Sequence, residues 1–303
     1  VIGGTADGAG NSISDNTVSG VIIDGQSETA ESNSVLGNRI GLWGDGGVQP
    51  AGVRTVESAN TQIGSTDAPN IISGNAGYGV FSQVSSGTVV QANVIGLDGN
   101  GAPLGNDWTG VRLSECESCW IHGGNTIAHN GINDMPGVIV EGASSTGVLL
   151  NNNEIFDNSG IGIDLGLDGV TLNDAGDPDA GANNLQNFPV ITMAHADTGE
   201  VQATLDTDGT PGTVYNIYFF QNTNCDVSGY GEGEKFLGQT ATLVPPSGPA
   251  PISANLALTP GKHLTTIAVH ATNHNSSEFS ACYAITGGVF ADGFESGDSS
   301  AWN

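Results

Sequence analysis

The most constraining feature of this chain is a glycine–valine pair that returns at nearly regular intervals through its first half. The glycines stand at residues 20, 52, 79, 110 and 137, and a glycine–isoleucine pair follows at 160, so the spacings of 32, 27, 31, 27 and 23 average 28 residues. Self-similarity at a period of about 20–50 residues is the signature of a solenoid, in which each repeat buries its apolar face against its neighbours. The repeat therefore predicts a solenoid for more than half of the chain.

A second motif follows the first and predicts the kind of solenoid. Asn-x-(Ile/Val)-x-x-Asn begins at Asn11, Asn33, Asn70, Asn125 and Asn153, and a variant that ends in Asp runs from Asn93 to Asp98. Alternate coils match best, which gives a double-coil unit of 55–61 residues. Asn and Gly tolerate left-handed bends, and stacked Asn side chains can hydrogen-bond from rung to rung. We therefore expect an all-β fold that begins, over residues 1–165, with a right-handed parallel β-helix of about three short strands per coil.

The charge of the chain limits its partners. The 303 residues include 32 acidic and only five basic side chains, for a net charge of −27. Such a charge argues against nucleic acid, which needs clustered Lys and Arg, and against an anionic polysaccharide. It is compatible with binding of divalent cations. The sequence contains no run of about 18 apolar residues, so we expect no membrane span.

Several segments also resemble a known family. "IGG", "NSISDN" and "NVIGLDGNGAPLGNDWTGV" are similar to secreted bacterial right-handed β-helix repeat proteins, and the resemblance covers residues 1–187. The family is a structural grouping with diverse roles. The resemblance therefore implies a fold and an extracellular location, and it implies no particular activity.

The junction over residues 166–186 is dense in oxygen ligands. It resembles the segment that closes the β-helix in these proteins. Asp177, Asp179 and Asn183 stand at alternate-position spacing and Asp174 lies just before them, a pattern that suits Ca²⁺. The Glu that would complete an EF-hand loop is replaced by Phe188. We expect a structural Ca²⁺ site here, and the alternative is an acidic turn capped by its own backbone.

The pattern changes over residues 187–286. Short alternating segments predict strands at 187–195, 199–206, 213–221, 234–243, 251–257, 263–271 and 278–285. Seven strands at this spacing are typical of an antiparallel sandwich of the immunoglobulin or fibronectin-III type. "NIYFFQNTNCDVSGYGEGEKFLGQ" and "TTIAVHATNHNSSEFSACYAI" resemble the sandwich module that often follows such β-helices.

Four cysteines indicate an oxidising compartment. An even count suggests two disulfides, and no His or Cys pair near Cys116 and Cys119 completes a zinc site. We expect a local Cys116–Cys119 staple. Cys225 lies just after the third predicted strand of the sandwich and Cys282 in the last, so we expect them to pair.

Both ends of the chain suggest self-association. Val1 and Ile2 begin in mid-coil without a predicted capping helix, so we expect that an upstream region was removed or that something stacks on this end. The tail, residues 287–303, is acidic and carries Phe290, Phe294 and Trp302. These aromatic side chains would dock on the chain's own sandwich or on a neighbouring copy.

No catalytic residue can be assigned from the sequence, and we lean towards a protein that is not an enzyme. Arg54 and Arg112 occupy equivalent repeat positions and would either form a uronate cleft or pair with Glu57 and Glu115, which recur at equal offset. Their repetition favours the structural pairing. We expect a non-catalytic extracellular protein that associates with copies of itself as a filament, cell-surface fibre or adhesin. The alternative is a secreted carbohydrate-active or carbohydrate-binding β-helix, of polysaccharide lyase or glycoside hydrolase type, with cell-surface glycans as partners.

Overall fold

The protein is an all-β molecule in two parts. The computed structural model describes residues 1–26, 30–41 and 49–287, and these residues contain 27 strands and one short 3-10 helix, Ala182–Leu185. Three parallel sheets form the first part and antiparallel sheets form the second. The predicted fold class, a parallel β-helix followed by an antiparallel sandwich, is confirmed.

Each coil of the solenoid contributes one strand to each of three six-stranded sheets. The first sheet contains β1 (Ile2–Gly3), β5 (Ser34–Leu36), β9 (Gln62–Ile63), β12 (Val89–Gln91), β15 (Trp120–His122) and β18 (Leu149–Asn151). The second contains β2 (Ser12–Ile13), β6 (Arg39–Gly41), β10 (Ile71–Ser73), β13 (Val94–Ile95), β16 (Thr126–Ala128) and β19 (Glu154–Phe156). The third contains β3 (Ser19–Asp24), β7 (Ala51–Val56), β11 (Tyr78–Gln83), β14 (Val111–Ser114), β17 (Val138–Glu141) and β20 (Ile163–Leu165). A short pair, β4 (Ala30–Glu31) with β8 (Ser58–Ala59), lies beside them.

The core is a stack of branched apolar side chains in register. Along the second sheet these are all isoleucines with at most 1% exposure: Ile40, Ile72, Ile95, Ile127 and Ile155. β-branched side chains pack well on a pleated surface, which favours strands at these positions. The valines of the glycine–valine repeat form the matching stack of the third sheet. In the last coil that position is taken by Ile163, so the predicted pair at Gly160 is displaced by two residues.

The repeated glycines are needed for space. A Cβ on Gly52 would lie 2.5 Å from Ile72 Cγ2 and 2.7 Å from the Gly79 carbonyl oxygen, and the other repeat glycines meet equivalent atoms. None of the repeat glycines at 20, 52, 79, 110 and 137 has a left-handed φ. The repeat glycines therefore serve for space, because the third sheet passes too close to the second to leave room for a side chain. The left-handed glycines that we expected in the bends stand elsewhere, as at Gly64 and Gly96.

Two ladders of side-chain amides run along the solenoid. One lies at the start of the strands of the second sheet and the other lies beyond their ends. Within each ladder an amide nitrogen donates to the amide oxygen of the next coil, at 2.8–3.2 Å in the first and 2.6–3.1 Å in the second. The first ladder contains Asn11, Asn38, Asn70, Asn93, Asn125 and Asn153, and the second contains Asn16, Gln49, Asn75, Asn106, Asn130 and Asn158.

The motif predicted these ladders with a wrong register in two coils. In the second and fourth coils more residues separate the strand of the second sheet from that of the third, so Gln49 and Asn106 take the second ladder position. Asp98 instead accepts the backbone N–H groups of Asn100 and Ala102 and closes its own turn. These two longer spacings explain why alternate coils match best in the sequence.

The second part has the strands of a sandwich. One sheet contains β21 (Val190–His195), β22 (Glu200–Leu205) and β25 (Ala250–Asn255), and the other contains β24 (Lys235–Leu243), β23 (Val214–Asn222), β26 (His263–His270) and β27 (Tyr283–Ala284). All seven predicted strands are present. The last is shorter than predicted: residues 276–281 keep only isolated backbone bonds to β26, such as Ser277 N–H to the Ala268 carbonyl, and also pack against the end of the solenoid.

Both expected disulfides are present. Cys116 and Cys119 are bonded and fully buried in the solenoid core. Cys225 and Cys282 are bonded across a separation of 57 residues and join the loop after β23 to the segment before β27.

Candidate metal centre

The last coil of the solenoid ends against the sandwich, and the sandwich satisfies its backbone. In the first sheet, the Leu150 N–H donates to Ser276 Oγ at 2.8 Å. In the third sheet, the Leu165 N–H donates to Glu278 Oε1 at 2.8 Å, and the same carboxylate accepts the Thr171 N–H at 3.0 Å. Donors at the end of a sheet that would otherwise be buried and unpaired thus find partners.

The second sheet ends in a similar way. Ile155 and Gly233 exchange backbone hydrogen bonds of 2.9 and 2.7 Å, and the Glu232 carboxylate accepts the N–H groups of Asp157 and Asn158. The Asn158 side chain, the last of the second ladder, also donates to Glu232 at 3.2 Å. A carboxylate accepts hydrogen bonds and donates none, so it ends the ladder.

The apolar core continues through this joint without interruption. One buried cluster contains the solenoid stack together with five residues of the sandwich, Tyr218, Phe220, Ile267, Val269 and Phe279. A Cβ on Gly162 of the last coil would lie 2.9 Å from the Phe279 ring. The solenoid and the sandwich are therefore packed as directly on each other as two coils are.

The two terminating carboxylates are costly to bury. Burial raises the pKa of Glu232 to about 7, against the opposing effect of its hydrogen bonds, and Asp226 raises it further. Burial likewise raises the pKa of Glu278 to about 8, with a smaller contribution from the charge of Asp164. The sequence carried no signal for either residue, since nothing in its pattern separates them from the other acids.

Three carboxylates converge in the connector between the two parts. Asp174, Asp177 and Asp179 each offer one ligand oxygen, and these atoms lie within 4.8 Å of one another. The connector is held in shape by Asn187, whose Nδ2 donates to the Asp174 carbonyl at 2.8 Å and whose backbone N–H donates to Asp177 Oδ1 at 3.0 Å. The sequence prediction thus placed these three acids together correctly.

The electrostatics of this triad are unfavourable without a cation. Asp177 is 6% exposed, and burial raises its pKa to about 7, with further contributions from the charges of Asp208, Asp179 and Asp174. Burial also raises the pKa of Asp179, and the Asp174 charge adds to it. Two further oxygens, Asp174 Oδ1 and Asp179 Oδ1, are buried and accept no hydrogen bond from the described residues. Like charges this close raise each other's pKa because no opposite charge offsets them.

Asn183 has a different role from the predicted one. Its Oδ1 accepts the Val148 N–H at 2.9 Å, and its Nδ2 donates to the carbonyls of Val148 and Ser276 at 2.8 and 3.0 Å. The side chain is fully buried and extends the hydrogen bonding of the last coil. It lines the same polar cavity of about 240 Å³ as Asp177, but its polar atoms are already committed to the backbone.

The donor set fits a hard divalent cation. Carboxylate oxygens are the ligands that Ca²⁺ and Mg²⁺ prefer, and two unpaired buried oxygens are a feature that a bound cation would explain. Asp174, Asp177 and Asp179 would hold the ion, and Asp208 lies close enough to influence Asp177. The ion would supply charge neutralisation and a cross-link within the connector.

The arginines of the third sheet do not pair as their repetition suggested. Arg112 forms an ion pair with Glu141 of the next coil, whereas Glu115 accepts hydrogen bonds from Ser144. Arg54 donates to Gln83 and lies over the Phe81 ring at 5.7 Å. The expected pairing of Arg112 with Glu115 is wrong, because residue 115 occupies a left-handed turn after the strand has ended.

The predicted self-association residues lie partly within the described ranges and partly outside them. Val1 is 84% exposed and Ile2 is 36% exposed, and both belong to the first coil. Phe290, Phe294 and Trp302 lie outside the described residues. Within the described ranges, no helix has the length and apolar character needed to cross a bilayer.

Comparisons with known proteins do not identify the chain. No family model matches the chain, and no curated protein matches it either.

Proposed function

We propose that this protein is a non-catalytic extracellular structural protein, a rigid rod that associates with copies of itself. The observation that carries the proposal is the shared core: the sandwich covers the last coil, and one buried apolar cluster runs through both parts, so they form one rod. The three parallel sheets of such a rod can be continued by strands of another chain.

The surface of the first coil supports association with a second copy. Ile2 is 36% exposed, whereas its register partners further along the first sheet, Val35, Ile63 and Val90, are fully buried. The sandwich closes the other end, so two copies cannot meet there by stacking coil on coil. A contact between unlike ends does not close on itself and produces a filament.

An extracellular location is supported by the disulfides. Bonds such as Cys116–Cys119 and Cys225–Cys282 persist in oxidising compartments and are rare in the cytosol. The strongly acidic composition keeps such a rod soluble and favours exposure to divalent cations.

We also propose that Ca²⁺ binds Asp174, Asp177 and Asp179 as a structural cofactor. The support is the convergence of three carboxylates on a connector that the sandwich and the solenoid share. Ca²⁺ would fix this connector and so stiffen the rod at its joint.

Electron microscopy and sedimentation of the purified chain test self-association. We expect filaments for the parent protein and their loss in Ile2→Lys, because a lysine on a terminal strand blocks edge pairing. Val84→Lys is the matched control: Val84 is 53% exposed on the side of the solenoid, in register between Glu57 and Glu115. Monomers of the parent protein at high concentration, or filaments that persist in Ile2→Lys, would contradict the proposal.

A further inference from the structure

A shallow groove runs along the joint between the solenoid and the sandwich. His122, Asn151 and Asn152 line it from the last two coils, and Tyr218, Phe236 and Gln239 line it from the sandwich, around a volume of about 350 Å³. We call it the joint groove. Because the solenoid and the sandwich share one core, the walls of the groove are held in a fixed relation.

The joint groove differs from the neighbouring cavities in its charge. Three further cavities contain acidic side chains: Asp157 and Glu232 in one, Asp134 and Asp164 in another, Asp177 and Asp208 in the third. The six side chains of the joint groove include no acid, lysine or arginine. Burial lowers the pKa of His122, which favours the neutral imidazole. The joint groove is therefore uncharged on a chain of net charge −27.

The walls of the groove are shaped by specific backbone features. β23 and β24 pair in register until a bulge at Leu237, which shifts Phe236 and Gly238 relative to Phe219 and Phe220. Bulges re-aim side chains and are frequent beside binding sites. The Tyr218 hydroxyl accepts a hydrogen bond from Asn151 Nδ2 at 3.0 Å, which fixes the orientation of both side chains.

The polar lining continues beyond the cavity along the outer face of the first sheet. Gln91, His122 and Asn151 are register partners on successive coils. Adjacent strands lie about 4.8 Å apart, so these three side chains form a strip of about 10 Å. A strip of this form suits an elongated ligand better than a compact one.

We propose that the joint groove binds a neutral oligosaccharide. Side-chain amides both donate and accept hydrogen bonds, as sugar hydroxyls require. The partly exposed Phe236 ring offers apolar surface for the C–H face of a sugar ring, and the buried Tyr218 ring, 6.2 Å away and tilted by 41°, supports it from behind. An uncharged ligand leaves no buried charge unpaired, whereas a uronate carboxylate would enter a groove without a cation.

Calorimetric titration of the full chain tests the proposal. The probes are the uncharged hexamers of β-1,4-linked glucose, mannose and N-acetylglucosamine, with the galacturonate hexamer as the charged comparison. Gln239→Ala removes one exposed amide from the groove, and Asn152→Gly removes another while keeping its left-handed φ of 53°. The matched control is Gln202→Ala, an exposed glutamine on the other sheet of the sandwich.

We expect at least one neutral hexamer to bind at millimolar concentration or better. Each groove variant should weaken binding about fivefold, the net value of one hydrogen bond, and Gln202→Ala should leave it unchanged. Absence of binding by all three neutral hexamers, tighter binding of the galacturonate hexamer, or equal losses in Gln202→Ala would each overturn the proposal. Self-association lies at the opposite end of the solenoid, so filaments should persist in both groove variants and the two proposals can fail separately.

Discussion

The interior of the solenoid and its closed end satisfy the same backbone groups with different chemistry. Within the stack, neutral amides such as Asn106 accept from one coil and donate to the next, at 2.6 and 2.7 Å. At the end, the Glu232 and Glu278 carboxylates accept backbone N–H groups and pass nothing on. An amide can therefore propagate a ladder, whereas a carboxylate can only terminate one. The difference also places the pH-sensitive groups at the joint and leaves the stack neutral.

The strongest test of this contrast places a carboxylate within a ladder and an amide at its end. Asn106→Asp replaces a buried donor by an acceptor that faces Asn130 Oδ1 and the Ile72 carbonyl. We expect a loss of about 4 kcal/mol in the free energy of unfolding, because a buried unpaired group is created within a hydrogen-bonded network. Urea denaturation at pH 7 measures it. The converse change, Glu232→Gln, should cost about 1 kcal/mol or less, since it loses one acceptor but no longer buries a charge. Equal losses would contradict the distinction.

A second test compares glycines that serve different needs in the two parts. A Cβ on Gly79 would lie 2.5 Å from the Gly110 carbonyl oxygen and 2.7 Å from Ile95 Cγ2. Gly261 in the sandwich has open space around it but a φ of 75°. We expect Gly79→Ala to cost about 3 kcal/mol through overpacking and Gly261→Ala about 1 kcal/mol through backbone strain. Thermal unfolding followed by circular dichroism measures both, and a larger loss at Gly261 would refute the steric role of the repeat glycine.

Calcium should stabilise the connector at the joint, because its proposed ligands lie there and not in the stack. If Ca²⁺ binds the native connector and not the unfolded chain, a concentration of about 100 Kd adds about 2.7 kcal/mol to stability. We expect the melting temperature to rise when Ca²⁺ is added and to fall back to its starting value when a chelator is added. Asp177→Asn should abolish this rise. Asp168→Asn, an exposed acid of the same connector outside the triad, is the control. A calcium shift that is unchanged in Asp177→Asn would exclude the proposed ligands.

The dependence of stability on pH should also originate at the joint. The folded pKa values of Glu232 and Glu278, about 7 and about 8, lie above the unfolded value of about 4.3. The native state therefore binds more protons, so this stability is complete below about pH 4 and is lost as pH rises through the folded pKa values. Between about pH 5 and 7, each carboxylate should lower the free energy of unfolding by up to about 1.4 kcal/mol per pH unit.

Urea titrations at pH 5.5 and 7.5 measure this slope. Glu278→Gln should reduce it, because the amide does not titrate. The matched control is Glu234→Gln, the same change at an acid that bonds Thr223 of the sandwich and not the last coil. An unchanged slope in Glu278→Gln would place the titrating groups elsewhere.

Much of the solenoid was predictable because its contacts repeat. The glycine–valine pairs, the motif spacing and the alternation of the sandwich strands each report a local requirement, so they predicted the fold class and the seven strands. The predicted register was wrong where a longer connection interrupts the period: the motif placed Asp98 at the second ladder position, whereas Asn106 occupies it in the structure. The acidic triad was found from spacing alone. Asn183 resembled a fourth ligand, but whether it binds an ion or the Val148 backbone depends on what packs beside it.

The sequence by itself determined the architecture of the stack, because each coil needs the same kind of residue at the same position. These are a glycine where the third sheet passes the second, a branched apolar residue in the core, and an amide at each end of the strands of the second sheet. Only the tertiary structure decided how the stack ends. Glu232 is 74 residues from Asn158 in sequence, and Glu278 is 113 residues from Leu165. Such contacts occur once, between segments without periodicity, and they form only when the sandwich packs against the last coil.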